Sequence, residues 1–219
     1  MPVAAQALAP VLFARLGPFE GYDVSHKGYL RGSDRMADDN EPGRLLLGMR
    51  GWPCPHWRGR YFPEDLPQDW EFAFYSNDAG CLLLPAADWL ALEPEQIAAW
   101  LDDCEPWFRF FLEDPGGELP PELLQAFGGN LGGVLCADAP PRPPLAVPQW
   151  RPVGSGEWAE VGTGARLCHW DIAGEDLRVL RHRFQALPAR TMALVLTGEG
   201  ETPERLREVQ TLAELLGLA

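Results

Sequence analysis

Six short apolar runs punctuate this chain, and helical spacing fills most of the gaps between them. The runs are Leu45–Met49, Cys81–Leu84, Phe108–Leu112, Val134–Ala137, Arg166–Trp170 and Met192–Thr197. Each has strand length and carries little polar alternation, the pattern of strands buried on both faces. Helices are expected at Pro94–Cys104, where Ile97, Trp100 and Leu101 share a face, and at Pro121–Phe127, which opens on proline and is followed by two glycines. Two more are expected at Asp176–Leu187, opened by acids and closed by Pro188, and at Pro203–Leu216, with Gly217 as its stop. Trp70, Phe72 and Phe74 alternate like a strand, but their place between two strands favours a helix. Strands alternating with helices predict an α/β protein with a mainly parallel sheet. Periodicity leaves two closures open, an open doubly wound sheet or a βα barrel.

A chain of 219 residues suits one domain with a large core and needs no disulfide or metal staple. The 32 acids outnumber the 18 bases, for a net charge of −14. This argues against nucleic acid as a partner, because phosphate binding depends on Lys and Arg, and against an anionic membrane surface. Five cysteines (Cys54, Cys81, Cys104, Cys136, Cys168) form no C-x-x-C pair, and three sit in apolar runs as small hydrophobes, which fits a reducing cytoplasm. Residues 3–16 are apolar but lack the basic flank of a signal peptide. No run reaches the 18 or so apolar residues of a membrane helix. Residues 1–40 read as a poorly ordered N-terminal extension, with Met36 a natural start, and residues 41–219 as a single βα-barrel-like domain.

The segment Gly51–Pro67 reads G-W-P-C-P-H-W-R-G-R-Y-F-P-E-D-L-P. It resembles the opening signature of the YecE-like family, TIM-barrel proteins of unknown function, which runs G-W-x-Y-P-x-W-R-G-x-F-Y-P-x-x-L-P after the first barrel strand. Nine of the seventeen positions match: Gly51, Trp52, Pro55, Trp57, Arg58, Gly59, Pro63, Leu66 and Pro67. Phe108–Pro115 is similar to the family's third strand, Leu131–Pro141 to its fourth, and Met192–Leu216 to its last strand and helix. The family's polar positions differ: V-E-I-N on its second strand is Cys81–Leu84 here, its third-strand Lys is Glu113, its fourth-strand Gln is Ala137 or Asp138, and its paired Asn are Thr197–Gly198. A full eightfold barrel takes about 250 residues. The resemblance therefore implies a shortened or incomplete TIM-like (βα) barrel of about six mainly parallel strands. At least one βα unit would be lost between Pro140 and Ala165. A sheet edge exposed by that loss would be covered by a dimer.

Ligands of parallel α/β sheets bind at the C-terminal strand ends. The candidates there for chemistry are Glu113, Asp138, His169 and Asp171. His169 and Asp171 lie two apart on a strand and share a face. With the other two acids they suit a divalent metal, whose bound water would attack a phosphoester. The plainer alternative makes these acids helix caps and solvated loop charges. For binding, His56 and Arg58 suit an anion, and Trp52, Trp57 and Trp89 suit stacking on a sugar-like ring. Alternatively, Arg58 pairs with a nearby acid and the tryptophans fill the core. The glycine pairs at 154–156 and 162–164 read as turns. Two functions compete. One is a barrel with an eroded active site that binds a small molecule or a protein. The other is a metal-assisted hydrolase or isomerase acting on a phosphorylated or sugar-like molecule.

Overall fold

The computed structural model describes residues 44–52, 57–116, 118–137, 146–198 and 202–218. The expectations for residues 1–40, Cys54, His56 and Asp138 lie outside the described residues. All six apolar runs form strands, and two further strands join them. In chain order these are β1 (Leu46–Arg50), β2 (Cys81–Leu84), β3 (Arg109–Glu113), β4 (Leu131–Leu135), β5 (Gln149–Gly154), β6 (Glu157–Glu160), β7 (Arg166–Asp171) and β8 (Thr191–Thr197). They form a closed barrel in sequence order, with β8 returning to pair parallel with β1 (Leu46 opposite Ala193, Met49 opposite Leu196).

The expectation of a shortened barrel with about six mainly parallel strands is thereby corrected. The barrel is closed, has eight strands and is mixed: β6 runs antiparallel to both β5 and β7, and the other pairings are parallel. Among the described residues no helix lies between β4 and β7, yet two strands do. The helical cover is reduced there, but the wall is intact, so no sheet edge stands open. This stretch contains Pro148, Pro152, Gly154 and Gly156, residues that weaken a strand signal. Its strands tolerate them because their outer face meets solvent and its turn needs them: Gly156 adopts φ +68°, and a Cβ there would lie 2.5 Å from the His169 carbonyl oxygen.

Alternation of side chains along each strand divides the apolar residues into two groups. Leu46, Cys81, Leu83, Phe111, Leu135, Trp150, Leu167, Ala193 and Val195 fill the lumen. Their strand neighbours Leu47, Met49, Leu82, Leu84, Phe110, Leu112, Cys168, Leu194 and Leu196 face outward, into a second cluster shared with the helices. The wall leaves no room for a side chain at Gly48, where a Cβ would lie 1.9 Å from the Cys81 carbonyl oxygen and 2.7 Å from its sulfur.

The helices are α1 (Glu71–Asp78), α2 (Ala86–Trp89), α3 (Pro94–Asp103), α4 (Pro121–Ala126), α5 (Leu177–Gln185) and α6 (Thr202–Leu215). The ambiguous segment is α1. Its Phe72, Tyr75 and Ser76 are buried at i, i+3 and i+4, and the Tyr75 hydroxyl joins two strands by accepting from the Met49 amide (3.0 Å) and donating to the Cys81 carbonyl (2.7 Å). Asp176 caps α5, its carboxylate accepting from the amides of Arg178 and Val179 at 2.8 and 2.9 Å.

Candidate functional site at the barrel mouth

The parallel strands bring their C-terminal ends to one mouth. The inward positions there continue the lumen rows: Arg50 follows Leu46 and Gly48 on β1, Glu113 follows Phe111 on β3, and His169 and Asp171 follow Leu167 on β7. Apolar filling therefore gives way to polar side chains over the last turn of the barrel. Arg50 and Glu113 meet across the end of β2 as a bidentate pair, Nε to Oε1 at 2.6 Å and the terminal nitrogen to Oε2 at 2.9 Å. The carboxylate raises the pKa of Arg50 further above its ordinary value, first by this hydrogen bond.

His169 sits beside this pair. Its amide donates to the Gly156 carbonyl at 2.7 Å, so the β5–β6 turn holds the strand that carries it. Its Nε2 is buried and has no hydrogen-bond partner among the described residues. Burial lowers its pKa below the ordinary histidine value, the positive charge of Arg50 lowers it further, and Glu113 and Asp171 oppose both. The folded state thus favours the neutral imidazole. Its contribution to stability is complete above the unfolded pKa of about 6.5 and is lost as the pH falls through the lower folded value. We expect wild type to lose stability more steeply than His169→Gln as the pH drops from neutrality toward 5, read as denaturation midpoints. Parallel curves would show that the imidazole does not have to charge.

The other candidates are placed as follows. Asp171 is exposed and its carboxylate accepts from the Ala173 amide at 3.0 Å, forming a local turn. Arg58 donates to the Leu66 carbonyl at 3.1 Å and forms an ion pair with the nearly buried Glu71. Trp52 and Trp57 are buried with their rings edge to face, 5.9 Å apart. Trp89 is fully buried, and its indole nitrogen donates to the Glu113 carbonyl at 2.9 Å. This tryptophan fixes the backbone of the ion-pair carboxylate and offers no face to a ligand. The structure thus brings Glu113 and His169 together at the mouth, and sets Trp52, Trp57 and Arg58 into the layer outside the barrel wall.

Among the described residues no group of three or more His, Cys, Asp or Glu is arranged to hold a metal. Both oxygens of Glu113 are engaged by Arg50, which leaves that carboxylate a poor ligand and a poor general base. The pairing of Arg50 with Glu113 is the feature sequence reasoning missed. Its signal is that both residues end an apolar run at the last inward position, 63 residues apart. What the mouth offers chemically is a fixed cation, a fixed anion and a neutral imidazole nitrogen, close together at the polar end of an apolar lumen. Comparison of the chain with family models, with curated proteins and with solved structures finds no match.

Proposed function

We propose that the chain is a YecE-like barrel that binds a small polar molecule at its C-terminal mouth and does not transform it. The observation that carries this reading is the buried Nε2 of His169, without a partner among the described residues, beside the Arg50–Glu113 pair. A buried polar atom without a partner is costly, and a ligand hydroxyl would satisfy it. The neighbouring ion pair offers acceptors to hydroxyl donors and a guanidinium to oxygen acceptors. This suits a hydroxylated, sugar-like molecule. The overall acidity disfavours a highly charged polyanion. The match to the family signature at Gly51–Pro67 supports the kinship, and Trp52, Trp57 and Arg58 of that signature serve here in packing and in an ion pair with Glu71. The buried thiol of Cys81, whose pKa burial raises, suits a reducing cytoplasm. No described helix is long and apolar enough to cross a membrane.

A thermal-shift panel of monosaccharides, sugar acids and sugar phosphates tests the reading on the full chain. A ligand at 100 times its Kd adds about 2.7 kcal/mol. For a chain this size that is a rise of several degrees. The shift should vanish in His169→Phe and in Arg50→Met. A panel flat throughout, or a shift that survives both substitutions, counts against it.

A further inference from the structure

We infer that the molecule held at this mouth carries an ammonium group beside its hydroxyls; this rests on the mouth being the binding site proposed above. The arginines bonded to the strand ends there are all matched. Arg50 is closed onto both oxygens of Glu113. Arg183 donates to the Asp171 carbonyl at 3.0 Å and pairs with Glu175 at 2.6 Å. Arg205 donates to the Ile172 carbonyl at 3.1 Å and lies 3.7 Å from Glu208. Two carboxylates are left over: among the described residues neither Asp88 nor Asp171 belongs to an ion pair. Asp88, on α2 just past β2, accepts from the Trp52 amide at 3.5 Å, and its charge reaches Arg50. Asp171 accepts from the Ala173 amide through Oδ1, and its Oδ2 has no bond among the described residues.

An ammonium answers this arrangement better than a hydroxyl or an anion does. It has three N–H donors and no acceptor. The mouth presents acceptors for it. One is Oδ2 of Asp171. Another, two residues earlier on the same side of β7, is the buried Nε2 of His169, without a partner among the described residues. A neutral imidazole with its proton on Nδ1 accepts at Nε2. Glu113 and Asp171 both act on this ring, so the carboxylates and the imidazole share one neighbourhood. A hydroxyl would satisfy Nε2 and leave the surplus negative charge in place. A carboxylate or phosphate would add to that surplus, in a chain whose net charge is −14. Arg50 opposes an ammonium little, because its own charge is closed onto Glu113.

Titration calorimetry on the full chain with glucosamine, glucose and glucuronate reads the outcome, since these share a ring and differ in charge. Just below neutral pH the amine is charged. We expect glucosamine to bind roughly three- to fivefold more tightly than glucose, the contribution of an exposed ion pair, and glucuronate to bind most weakly. Added salt should shrink the margin. Asp171→Asn should shrink it too, because the amide oxygen still accepts from Ala173 while the charge is gone. Asp102→Asn, which alters an exposed acid at the far end of α3, should leave it in place. Glucose binding as tightly as glucosamine, glucuronate binding most tightly, or a margin undiminished in Asp171→Asn overturns the inference. The mouth would then stand as a binding site wherever His169→Phe still abolishes binding. Failure of all three sugars to bind also overturns the inference, and the thermal-shift panel with His169→Phe then decides separately whether the mouth binds anything.

Discussion

Gly48→Ala should destabilise the barrel by about 3 kcal/mol, at the upper end of what overpacking a core costs. In most strands the same exchange is neutral or helpful, because alanine restricts the unfolded chain. Here the added carbon falls 1.9 Å from the Cys81 carbonyl oxygen. The obstacle is backbone, so no rotamer change relieves it. Either β1 and β2 part at the Gly48–Cys81 pairing or β1 shifts against β8 at Val195. Urea denaturation measures the result. Since domain stability totals only about 5–15 kcal/mol, the midpoint should fall markedly, and an unchanged midpoint would mean that β1 and β2 part at this pairing at little cost.

Trp52→Ala is the second large effect, about 3–5 kcal/mol, the range for removing a buried aromatic side chain. Its ring lies within 6.2 Å, centroid to centroid, of Trp57, Phe62, Phe72, Tyr75 and Trp100. These neighbours come from the β1–α1 loop, α1 and α3, so one deletion loosens three segments. Trp107→Ala provides the contrast. That ring is 39% exposed beneath the Arg44 guanidinium and should lose no more than about 1 kcal/mol. Were Trp52 a stacking platform for a ligand, its removal would abolish the thermal shift and leave the midpoint in place. We expect the midpoint to fall.

How much of this molecule is readable from sequence depends on how much each segment buries. Cys81–Leu84 is buried on both faces, so its four apolar residues in a row announce a strand. Gln149–Gly154 is buried at Trp150 and increasingly exposed beyond it, so prolines and glycines survive and obscure the strand. Glu157–Glu160 is half-exposed along its whole length and leaves almost no periodic signal. Strand-end logic directs Glu113 and His169 toward one mouth, because parallel strands bring their ends together whatever their separation in the chain. It does not reveal that Arg50 chooses Glu113, since that depends on lateral distances across β2. Arg58 carried the resemblance to a known signature, yet its partner Glu71 lies one loop away, and the pair joins the loop to α1.

The β1–β8 pairing joins Leu46 to Ala193 and so governs the order of events in folding. Closure waits until the sealing strand, Thr191–Thr197, has been made, after the seven other strands. Until then any sheet assembled from the earlier strands has two unpaired rims. The β5–β6–β7 meander needs only turns of a few residues and is the natural early nucleus. The last seam must bridge a much longer loop, with a larger entropic penalty. Aggregation during synthesis should therefore track the wait for β8, and a permuted chain that begins at the β6–β7 turn would place β7, β8 and β1 in a different temporal order around the same barrel.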